Sequence, residues 1–432
     1  MRANSWGKYF GFSTFGESHG PAIGILIEDV RPGEEFPIDR MRALLAERRP
    51  KNRYDSARSE ADDISILSGV FEGKTTGMPI CLLIHNKEQD SDIYERIRGI
   101  FRPGHADLSY FEKFKIYDHR GGGRASGRET VARVAASALV EKMLGEIEIS
   151  CYPIQIGKIK AAQIDHNFRN ELNWPDPHSF NNLKGYLDRI KASGDSIGGI
   201  VECIIQNVPA GLGDPVFEKL DANLAKALLS IGSIKAIEFG SGFNLAEMTG
   251  SQANDQIDKD RFKSNHAGGI LGGISTGQQI VMRLAVKPTP SITLPQNTRN
   301  ISGDSCKLEL EGRFDTCIVF RILAVVKAMV KLVLADAIAH QNLIEDKNLT
   351  LSDLRESIDK LDEDILLALY RRQKLAEKIG LLKQTENMRI EDKEREKELL
   401  KKIRKIGDTY SLNPEFISSL WKLIISESKR VQ

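Results

Sequence analysis

The sequence predicts an α+β protein in which a large mixed domain is followed by an all-helical module. Through residues 1–340, short β-prone runs alternate with helical patterns and glycine is frequent. After His340 the composition changes abruptly, because residues 341–432 contain only two glycines and are rich in Glu, Lys, Arg and Leu. A chain of 432 residues is long enough for two domains. We therefore predict a first domain over 1–340, a linker over 341–350 and a helical domain over 351–432.

Periodicity predicts the elements of the first domain. Runs of β-branched and aliphatic residues predict strands at 22–27, 78–84, 199–205 and 279–286. Apolar residues that recur every three or four positions predict helices at 38–49, 129–144, 215–230 and 322–338. The long connections between them are rich in Gly, Pro and Asn, and such connections commonly carry binding and catalytic residues.

The helical domain is predicted to contain three helices. The first helix begins near Ser352, a predicted N-cap, and carries one apolar stripe along an otherwise charged, long helix. The second covers 392–406, and the third begins with Asn413 as N-cap and Pro414 as its first residue. Two short partners cannot cover the stripe of the long first helix, so we expect this domain to dimerise.

Composition and charge exclude several classes of protein. The chain has 61 Lys and Arg against 60 Asp and Glu, so it lacks the basic excess of a nucleic-acid-binding protein. It has no run of 18 apolar residues for a membrane span and no signal-peptide-like stretch near its start. Its five cysteines are scattered without a CxxC spacing, which argues against disulfides and a metal site. We expect a cytoplasmic protein that binds no metal, nucleic acid or membrane.

Two histidines beside glycines predict acid–base chemistry. GESHG contains His19 and RPGHAD contains His105, and the adjacent glycines let polar groups approach a ligand closely. The alternative for the first motif is a turn capped by Ser18 with His19 on the surface. Taken together, the two loops predict a paired acid site.

A glycine loop with three arginines, RGGGRASGRET at 120–130, leads into a predicted helix. The amides at a helix N-terminus favour anions, and Arg120, Arg124 and Arg128 would repel one another without one. The loop matches neither the GxGxxG fingerprint nor the P-loop motif. An anion site is therefore predicted here, and an exposed basic turn is the alternative.

Two segments further along the chain carry polar groups suited to such a site. VKPTPSI offers Lys287, Thr289 and Ser291 as donors for a phosphate or a flavin edge. GRFDTC places Asp315 just before an apolar helix. This carboxylate is either a base that faces a pocket or the N-cap of that helix.

In order and spacing, these motifs resemble those of the chorismate synthases. The resemblance covers residues 1–339 and rests on GESHGPAIGILIEDVRPG, RPGHADLSY, RGGGRASGRETVARVAA, SNHAGGILGGISTGQQ, VKPTPSI and GRFDTC. It implies a β-α-β sandwich domain that eliminates phosphate from 5-enolpyruvylshikimate 3-phosphate in a trans 1,4-elimination, giving chorismate. The family requires reduced FMN (FMNH2) without net redox change, and the flavin lends electron density transiently to the breaking C–O bond.

The resemblance also implies roles for the matching residues. His19 and His105 are expected to be general acids at the leaving phosphate and the flavin, and Asp315 to help the flavin N5 accept the ring proton. The expected holders of the substrate phosphate and carboxylates are Arg48, Arg53, Ser126 and Arg128. The expected flavin contacts are Arg124, Ala125, Ser126, Gln252, Ala253, Gly272, Lys287, Thr289, Ser291 and Arg313.

Three places depart from the family's usual pattern. Ala125-Ser126-Gly127 stands where Ser-Ser-Ala is frequent, Pro290 where Ser is frequent, and Phe314 where His is usual. Each departure removes one donor near the flavin and leaves the charged groups in place. Some family members reduce their own flavin with NADPH, but no dinucleotide fingerprint supports this here, and an external flavin reductase stays open as a partner.

The helical domain resembles the all-helical bacterial chorismate mutases. The match rests on LRESIDKLDEDILLAL, RRQKLAEKIGLLK, DKEREKELL and IISESKRVQ. It implies a Claisen rearrangement of chorismate to prephenate, promoted by conformational restraint and electrostatics on a stretched ether. The resemblance implies that Arg355 from a partner chain, together with Arg372 and Arg395, clamps the carboxylates. Lys383 and Gln432 are the implied donors to the ether oxygen. Asp392, Glu396 and Ser428 are implied to bind the hydroxyl and the second carboxylate.

Together the two resemblances imply a bifunctional enzyme of the shikimate pathway, a lyase followed by an isomerase. We expect a homo-oligomer, tetrameric through the first domain and dimeric through the helical one. Gln432 is the last residue, so its α-carboxylate is expected beside the ether donor. Two alternatives stay open: the first domain only binds flavin and an anion, or the helical domain is a sensor or oligomerisation element without activity.

Overall fold

The computed structural model describes residues 3–56, 60–87, 92–259, 261–312, 314–344, 351–386, 391–409 and 412–431. The chain divides into two compact units, Met1–Glu345 and Asp346–Gln432. The first unit contains both α-helices and β-sheets, and the second unit is helical.

The first sheet has the strand order β1-β2-β3-β5-β4. Its strands are β1 (Ser5–Trp6), β2 (Phe12–Phe15), β3 (Ala22–Ile27), β4 (Ile64–Ser68) and β5 (Ile80–His85). Neighbouring strands are antiparallel, and Ala22 of β3 lies opposite His85 of β5. Buried and partly exposed residues alternate along β5, so this sheet buries one face.

The second sheet has the order β9-β10-β8-β6-β7. Its strands are β6 (Glu148–Ile156), β7 (Ile159–Lys160), β8 (Gly199–Gln206), β9 (Ile234–Phe239) and β10 (Ile280–Val286). It is also antiparallel, with the same alternation of burial along β10. Short two-stranded ribbons pair Val70–Phe71 with Lys74–Thr75, Ile257–Asp258 with Arg261–Phe262, Ile270–Leu271 with Ile274–Ser275, and Gln296–Arg299 with Ser305–Leu308.

Helices of the first unit pack on both of its sheets. The helices of the first unit are α1 (Ile38–Arg48), α2 (Asp92–Arg96), α3 (Asp107–Phe114), α4 (Thr130–Ala136), α5 (Glu141–Leu144), α6 (Phe180–Ala192), α7 (Leu220–Leu229), α8 (Gly250–Ala253) and α9 (Val319–Ile344). Helix α4 packs on β3 and β5, α9 packs on β6 and β8, and α1, α4 and α9 pack on one another. The expected β-α-β sandwich is confirmed, with a hydrophobic core that includes residues of both sheets.

The predicted strands are confirmed, but three predicted helices are wrong in extent. The run at 129–144 forms two helices, α4 and α5, rather than one. Between them the amides of Ala138 and Leu139 bond carbonyls three residues back, at 3.2 and 3.0 Å, which is the hydrogen-bond pattern of a 3₁₀ turn. The helix predicted from residue 215 begins only at Leu220, whose amide bonds the Gly273 carbonyl at 2.8 Å. Helix α9 begins earlier and ends later than predicted.

The second unit consists of α10 (Leu351–Thr385), α11 (Lys393–Thr409) and α12 (Pro414–Arg430). Asn413 caps α12, since its side chain accepts the amides of Glu415 and Phe416, and Pro414 is the first residue of that helix as predicted. Ser352 lies inside α10, so the N-cap predicted there is wrong. Helix α12 packs on α10 and α11. No helix among those described is apolar over enough of its length to cross a membrane.

Candidate active sites

His19 and His105 lie against neighbouring glycines of one turn. A β-carbon built on Gly121 would sit 2.3 Å from His19 Nε2, and one built on Gly122 would sit 2.4 Å from His105 Cε1. These glycines have φ angles of 60° and 86°, in the left-handed region that favours glycine. The turn therefore brings together two imidazoles that are far apart in sequence.

His19 is buried, so the alternative of a surface histidine is wrong. Its exposed fraction is 7%, and its ring packs edge-on against Tyr94 with 5.1 Å between ring centres. Ser18 is fully buried and donates to the Gly121 carbonyl at 3.4 Å. Asn86 donates to two carbonyls of the same loop, at 2.8 and 3.1 Å. These contacts hold the loop that carries His19 against the glycine turn.

His105 is held from its Nδ1 side by Arg102 and Asp107. Asp107 Oδ1 lies 2.8 Å from His105 Nδ1, and Arg102 donates to both carboxylate oxygens at 2.7 and 2.8 Å. The Arg102 and Asp107 side chains are each only 4% exposed. Burial opposes the ionisation of Asp107, but hydrogen bonds from Arg102 and His105 outweigh it and hold the pKa of this carboxyl well below its usual range.

The VKPTPSI segment touches the loop of His105. Lys287 Nζ donates to the Gly104 carbonyl, and a β-carbon on Gly104 would lie 3.3 Å from Pro290 Cβ. Burial, together with the charge of Lys235, lowers the pKa of Lys287. Thr289 Oγ1 is buried and has no hydrogen-bond partner among the described residues. An unpartnered hydroxyl and a partly desolvated ammonium therefore lie close to His105.

The arginines of the 120–130 loop are each paired with a carboxylate of the protein. The ion pairs are Arg120–Asp118 at 2.9 Å, Arg124–Glu129 at 3.6 Å, and Arg128–Asp62. The prediction that these arginines need a bound anion to relieve their repulsion is therefore wrong, because the protein supplies the counter-charges itself. The alternative of an exposed basic turn also fails, since Arg128 is 6% exposed.

Several expected ligand-binding side chains bond the protein around this loop. Arg48 Nη2 donates to the Gly127 carbonyl at 2.8 Å, and Arg124 Nη2 donates to Thr14 Oγ1 at 2.7 Å. Ser126 caps a short 3₁₀ helix, Gly127–Glu129, and its Oγ accepts an amide of that turn at 3.3 Å. These bonds fix the loop next to the two histidines.

Asp315 is held by Arg321 and by the backbone. Arg321 Nη1 lies 3.0 Å from both carboxylate oxygens, and the Ser56 amide donates to Oδ1 at 2.8 Å. The Asp315 side chain is 12% exposed. Within the described part of the chain it caps no amide of α9, so the structure does not support the N-cap alternative.

A short path of hydrogen bonds joins the Asp315 segment to VKPTPSI. The Ile197 amide donates to the Thr316 carbonyl at 2.8 Å, and Ser196 Oγ donates to the Thr289 carbonyl at 2.7 Å. Asp315, Thr289 and Lys287 are thus positioned by adjoining segments of the first unit.

Other expected residues are not joined to this cluster. Arg53 is 61% exposed and bonds a carboxylate of α6 at 2.6 Å. Gln252 and Ala253 lie in α8, and Gly272 lies in a ribbon turn. No hydrogen bond or ion pair between described residues connects these three with the histidine loops. Arg313 lies outside the described residues.

In the second unit, Arg372 of α10 meets α12. Arg372 Nη1 donates to Ser428 Oγ and to the Ile424 carbonyl, the latter at 3.3 Å. Burial lowers the pKa of Arg372. On the adjoining helix, Glu396 pairs with Lys429 at 2.6 Å. The expected clamp Arg372 and the expected ligands Ser428 and Glu396 therefore all lie at contacts with α12.

The remaining expected residues of this unit are distributed along its helices. Asp392 precedes α11 and accepts the amide of Arg395 at 3.0 Å, and the Arg395 side chain is 70% exposed. Arg355 is exposed on α10, and Lys383 is half-buried near the C-terminal end of that helix. Gln432 lies outside the described residues.

Sequence reasoning missed the carboxylates that organise the first site. Asp107 lies in the RPGHAD motif, two residues after His105, so a local signal for it existed. Asp62, the partner of Arg128, is 66 residues away from it in sequence, and no local pattern could have identified that pair. Arg102, which bonds Asp107 and lies beside His105, belongs to the same RPGHAD motif, so a local signal for it existed as well.

The sandwich, in which His19 and His105 meet one glycine turn, and the helical unit that follows it in the chain indicate an enzyme with two domains. Residues 10–339 match the family model for chorismate synthase, and residues 354–432 match the model for chorismate mutase type II. The chain therefore belongs to the chorismate synthase family and carries a chorismate mutase domain after the synthase domain, so it combines a lyase with an isomerase.

Curated relatives and a solved structure agree with the assignment of the synthase domain. Chorismate synthase of Syntrophus aciditrophicus is 45% identical over 353 residues, which cover 80% of this chain and 99% of the relative. Chorismate synthase of Desulfosudis oleivorans is 46% identical over 350 residues, with 80% and 99% covered. A chorismate synthase crystal structure superposes with a TM-score of 0.60 at 29% identity, covering 82% of this chain and 98% of that one.

Proposed function

We propose that the first unit eliminates phosphate from 5-enolpyruvylshikimate 3-phosphate to give chorismate, and that the second unit rearranges chorismate to prephenate. The observation that carries the proposal for the first unit is the convergence of His19 and His105 on the turn Gly121–Gly122. Two imidazoles held against one turn can donate protons to a leaving phosphate and to a neighbouring group.

The first unit offers groups that fit reduced FMN. Thr289 Oγ1 is a buried hydroxyl without a partner among the described residues, and the Lys287 ammonium is partly desolvated. Such donors suit the ring carbonyls and the phosphate of a flavin. When bound, reduced FMN supplies electron density to the breaking C–O bond. The residues proposed to hold it are Arg124, Ala125, Ser126, Gln252, Ala253, Gly272, Lys287, Thr289, Ser291 and Arg313.

The chain's own residues perform the proton transfers. His19 donates a proton from a buried position and His105 from a position where its side chain is 14% exposed, so little water competes at either ring. Asp315 assists removal of the ring proton and is oriented by Arg321 and the Ser56 amide. The substrate phosphate and carboxylates are proposed to bind at Arg48, Arg53, Ser126 and Arg128.

The second unit needs a partner chain to complete its site. Arg372, Ser428 and Glu396 lie at the contacts with α12, whereas Arg355 is exposed on α10. The apolar stripe of α10 is also exposed in the single chain: Ile358, Leu361 and Ile365 are 56%, 62% and 57% exposed. A dimer that covers this stripe would bring a partner chain to the helix that carries Arg355.

The first unit is proposed to assemble as a tetramer. Strand β4 lies at the edge of its sheet and exposes Leu67 by 60%, and the following ribbon exposes Phe71 by 68%. An apolar edge of this kind is usually covered by another chain. Sedimentation of the full chain tests the assembly.

All five cysteines are free thiols, which supports a reducing compartment such as the cytoplasm.

One assay tests both activities together. The full chain is incubated with 5-enolpyruvylshikimate 3-phosphate and chemically reduced FMN, and phosphate, chorismate and prephenate are followed in stopped samples. We expect phosphate and prephenate to accumulate together, with chorismate as a transient. Phosphate without prephenate would contradict the activity of the second unit, and absence of phosphate would contradict the elimination.

A further inference from the structure

The cluster of Arg102, Asp107 and His105 contains one proton whose position determines the chemistry of His105. His105 Nδ1 lies 2.8 Å from Asp107 Oδ1 and 3.1 Å from Arg102 Nη2. A carboxylate only accepts hydrogen bonds, and a guanidinium only donates them. Nδ1 therefore carries a proton if it bonds Asp107 and lacks one if it bonds Arg102.

Charge and distance both favour the proton on Nδ1. Arg102 donates to Asp107 from Nε at 2.7 Å, from Nη2 at 2.8 Å and from its amide at 3.2 Å, which keeps the carboxylate ionised. A bare Nδ1 would direct its lone pair at an ionised oxygen 2.8 Å away, which is repulsive. A hydrogen bond from Nδ1 to that oxygen is charge-assisted and stronger than a neutral one.

We propose that Asp107 is a positioning residue that fixes this proton on Nδ1, so that Nε2 is the atom through which His105 exchanges protons with the ligand. The inference rests on the proposed elimination. A β-carbon on Gly122 would lie 2.8 Å from Nε2, so this edge of the ring faces the turn that also contacts His19. When Nε2 loses its proton, the neutral tautomer that remains is the one Asp107 already bonds.

The cluster is built to keep this arrangement without a ligand. The side chains of Arg102 and Asp107 are 4% exposed, and that of His105 is 14% exposed, so water competes little for their hydrogen bonds. Arg102 balances the charge of Asp107, which makes burial of the carboxylate tolerable. Among the described residues, the charged or titratable side chains around the cluster include Lys287, Tyr117, Tyr94 and His19.

Replacing Asp107 by asparagine should move the proton from Nδ1 to Nε2. Asparagine has one amide oxygen and one NH2 group. Because Arg102 only donates hydrogen bonds, it binds the oxygen, and the NH2 group then faces His105. The NH2 group is a donor, so Nδ1 must carry no proton to accept from it. Phosphate release near neutral pH should fall by roughly 10²- to 10⁴-fold. The pH–rate profile should also change shape, because the proton that Nε2 exchanges is held differently once the carboxylate is gone.

The tautomer of His105 can be measured without an activity assay. Solid-state ¹⁵N NMR of the full chain, labelled in its histidines, distinguishes Nδ1–H from Nε2–H, and the His105→Gln spectrum assigns the ring. We expect Nδ1–H at His105 in the wild type and Nε2–H in Asp107→Asn. A wild-type Nε2–H tautomer would overturn the proposal. If instead phosphate release is unchanged in His105→Gln, the proposed role of that histidine in the elimination fails, whatever the tautomer.

A matched control separates positioning from stability. Asp176 is a comparably buried carboxylate, 1% exposed, that accepts two backbone amides and the Ser179 hydroxyl rather than an imidazole. Asp176→Asn should lower the melting temperature without changing the pH–rate profile, whereas Asp107→Asn should change it. Asp107→Glu keeps the charge and should recover part of the rate. Equal profiles for Asp107→Asn and Asp176→Asn would contradict the assignment.

Discussion

Replacing Gly122 by alanine should displace His105 and impair the elimination selectively. The new β-carbon would lie 2.4 Å from Cε1 and 2.8 Å from Nε2 of His105, whereas ordinary contacts begin near 3.4 Å. The ring must therefore retreat by about 1 Å, and a displacement of that size can cost about 10²-fold in rate. We expect kcat for phosphate release to fall by at least about 10²-fold.

The same substitution strains the backbone, and a second glycine isolates that effect. Gly122 has φ of 86°, and an alanine in the left-handed region costs about 1–2 kcal/mol. Gly33 also has positive φ, 80°, but a β-carbon there would meet nothing within 4 Å. Gly33→Ala should therefore lose a similar free energy of unfolding and keep the elimination rate, so the difference between the two variants reports the contact with His105.

The assay uses the full chain with chemically reduced FMN and follows phosphate release. Conversion of added chorismate to prephenate by the same sample is the internal control, because it depends on the second unit. Denaturant unfolding monitors the free energy of the first unit. A folded Gly122→Ala variant that releases phosphate within roughly threefold of the wild-type rate would refute the placement of His105 against this turn.

Three further outcomes are expected. His19→Ala or His105→Ala should lower phosphate release by roughly 10²- to 10⁴-fold with FMN and substrate binding retained, and a rate within about threefold of wild type would remove that histidine from the mechanism. Two fragments cut at the linker should keep one activity each; a folded, dimeric helical fragment that makes no prephenate would favour a sensor or borrowed residues. Lys383→Ala should lower the rearrangement about 10³-fold or more without affecting the elimination, and deleting Gln432 should also impair it; unchanged rates would exclude these donors.

The fold was largely predictable where one period dominates a segment. Strands β5, β8 and β10 bury alternate residues, and α1 buries Met41, Leu44 and Leu45, so their sequences show the pattern directly. The single helix predicted at 129–144 is wrong because the apolar period continues through a turn that contains no glycine or proline. Ser137 there donates its hydroxyl to the Val134 carbonyl, an option that the sequence pattern does not reveal.

The site was predictable only as far as local motifs extend. Glycines beside His19 and His105 indicated close approach, and the left-handed turn at Gly121 and Gly122 is the reason both imidazoles contact one backbone segment. The pairing of Arg128 with Asp62 was not predictable, because Asp62 comes from a distant part of the chain. This pairing balances the charge of Arg128, contrary to the prediction that the loop arginines repel one another without an anion. A cluster of arginines in sequence is not a cluster of uncompensated charges in space.

Lys287 is a further group able to attract an anion, in addition to the proposed arginines. The arginines of the 120–130 loop each lie beside a carboxylate, so the protein already balances part of their charge. Lys287 bonds the Gly104 carbonyl and, in the described part of the chain, has no carboxylate partner. Burial and the charge of Lys235 lower its pKa, so an anion bound beside it would stabilise the ammonium form. Because Lys287 contacts the loop of His105, that anion would lie next to a group able to protonate it.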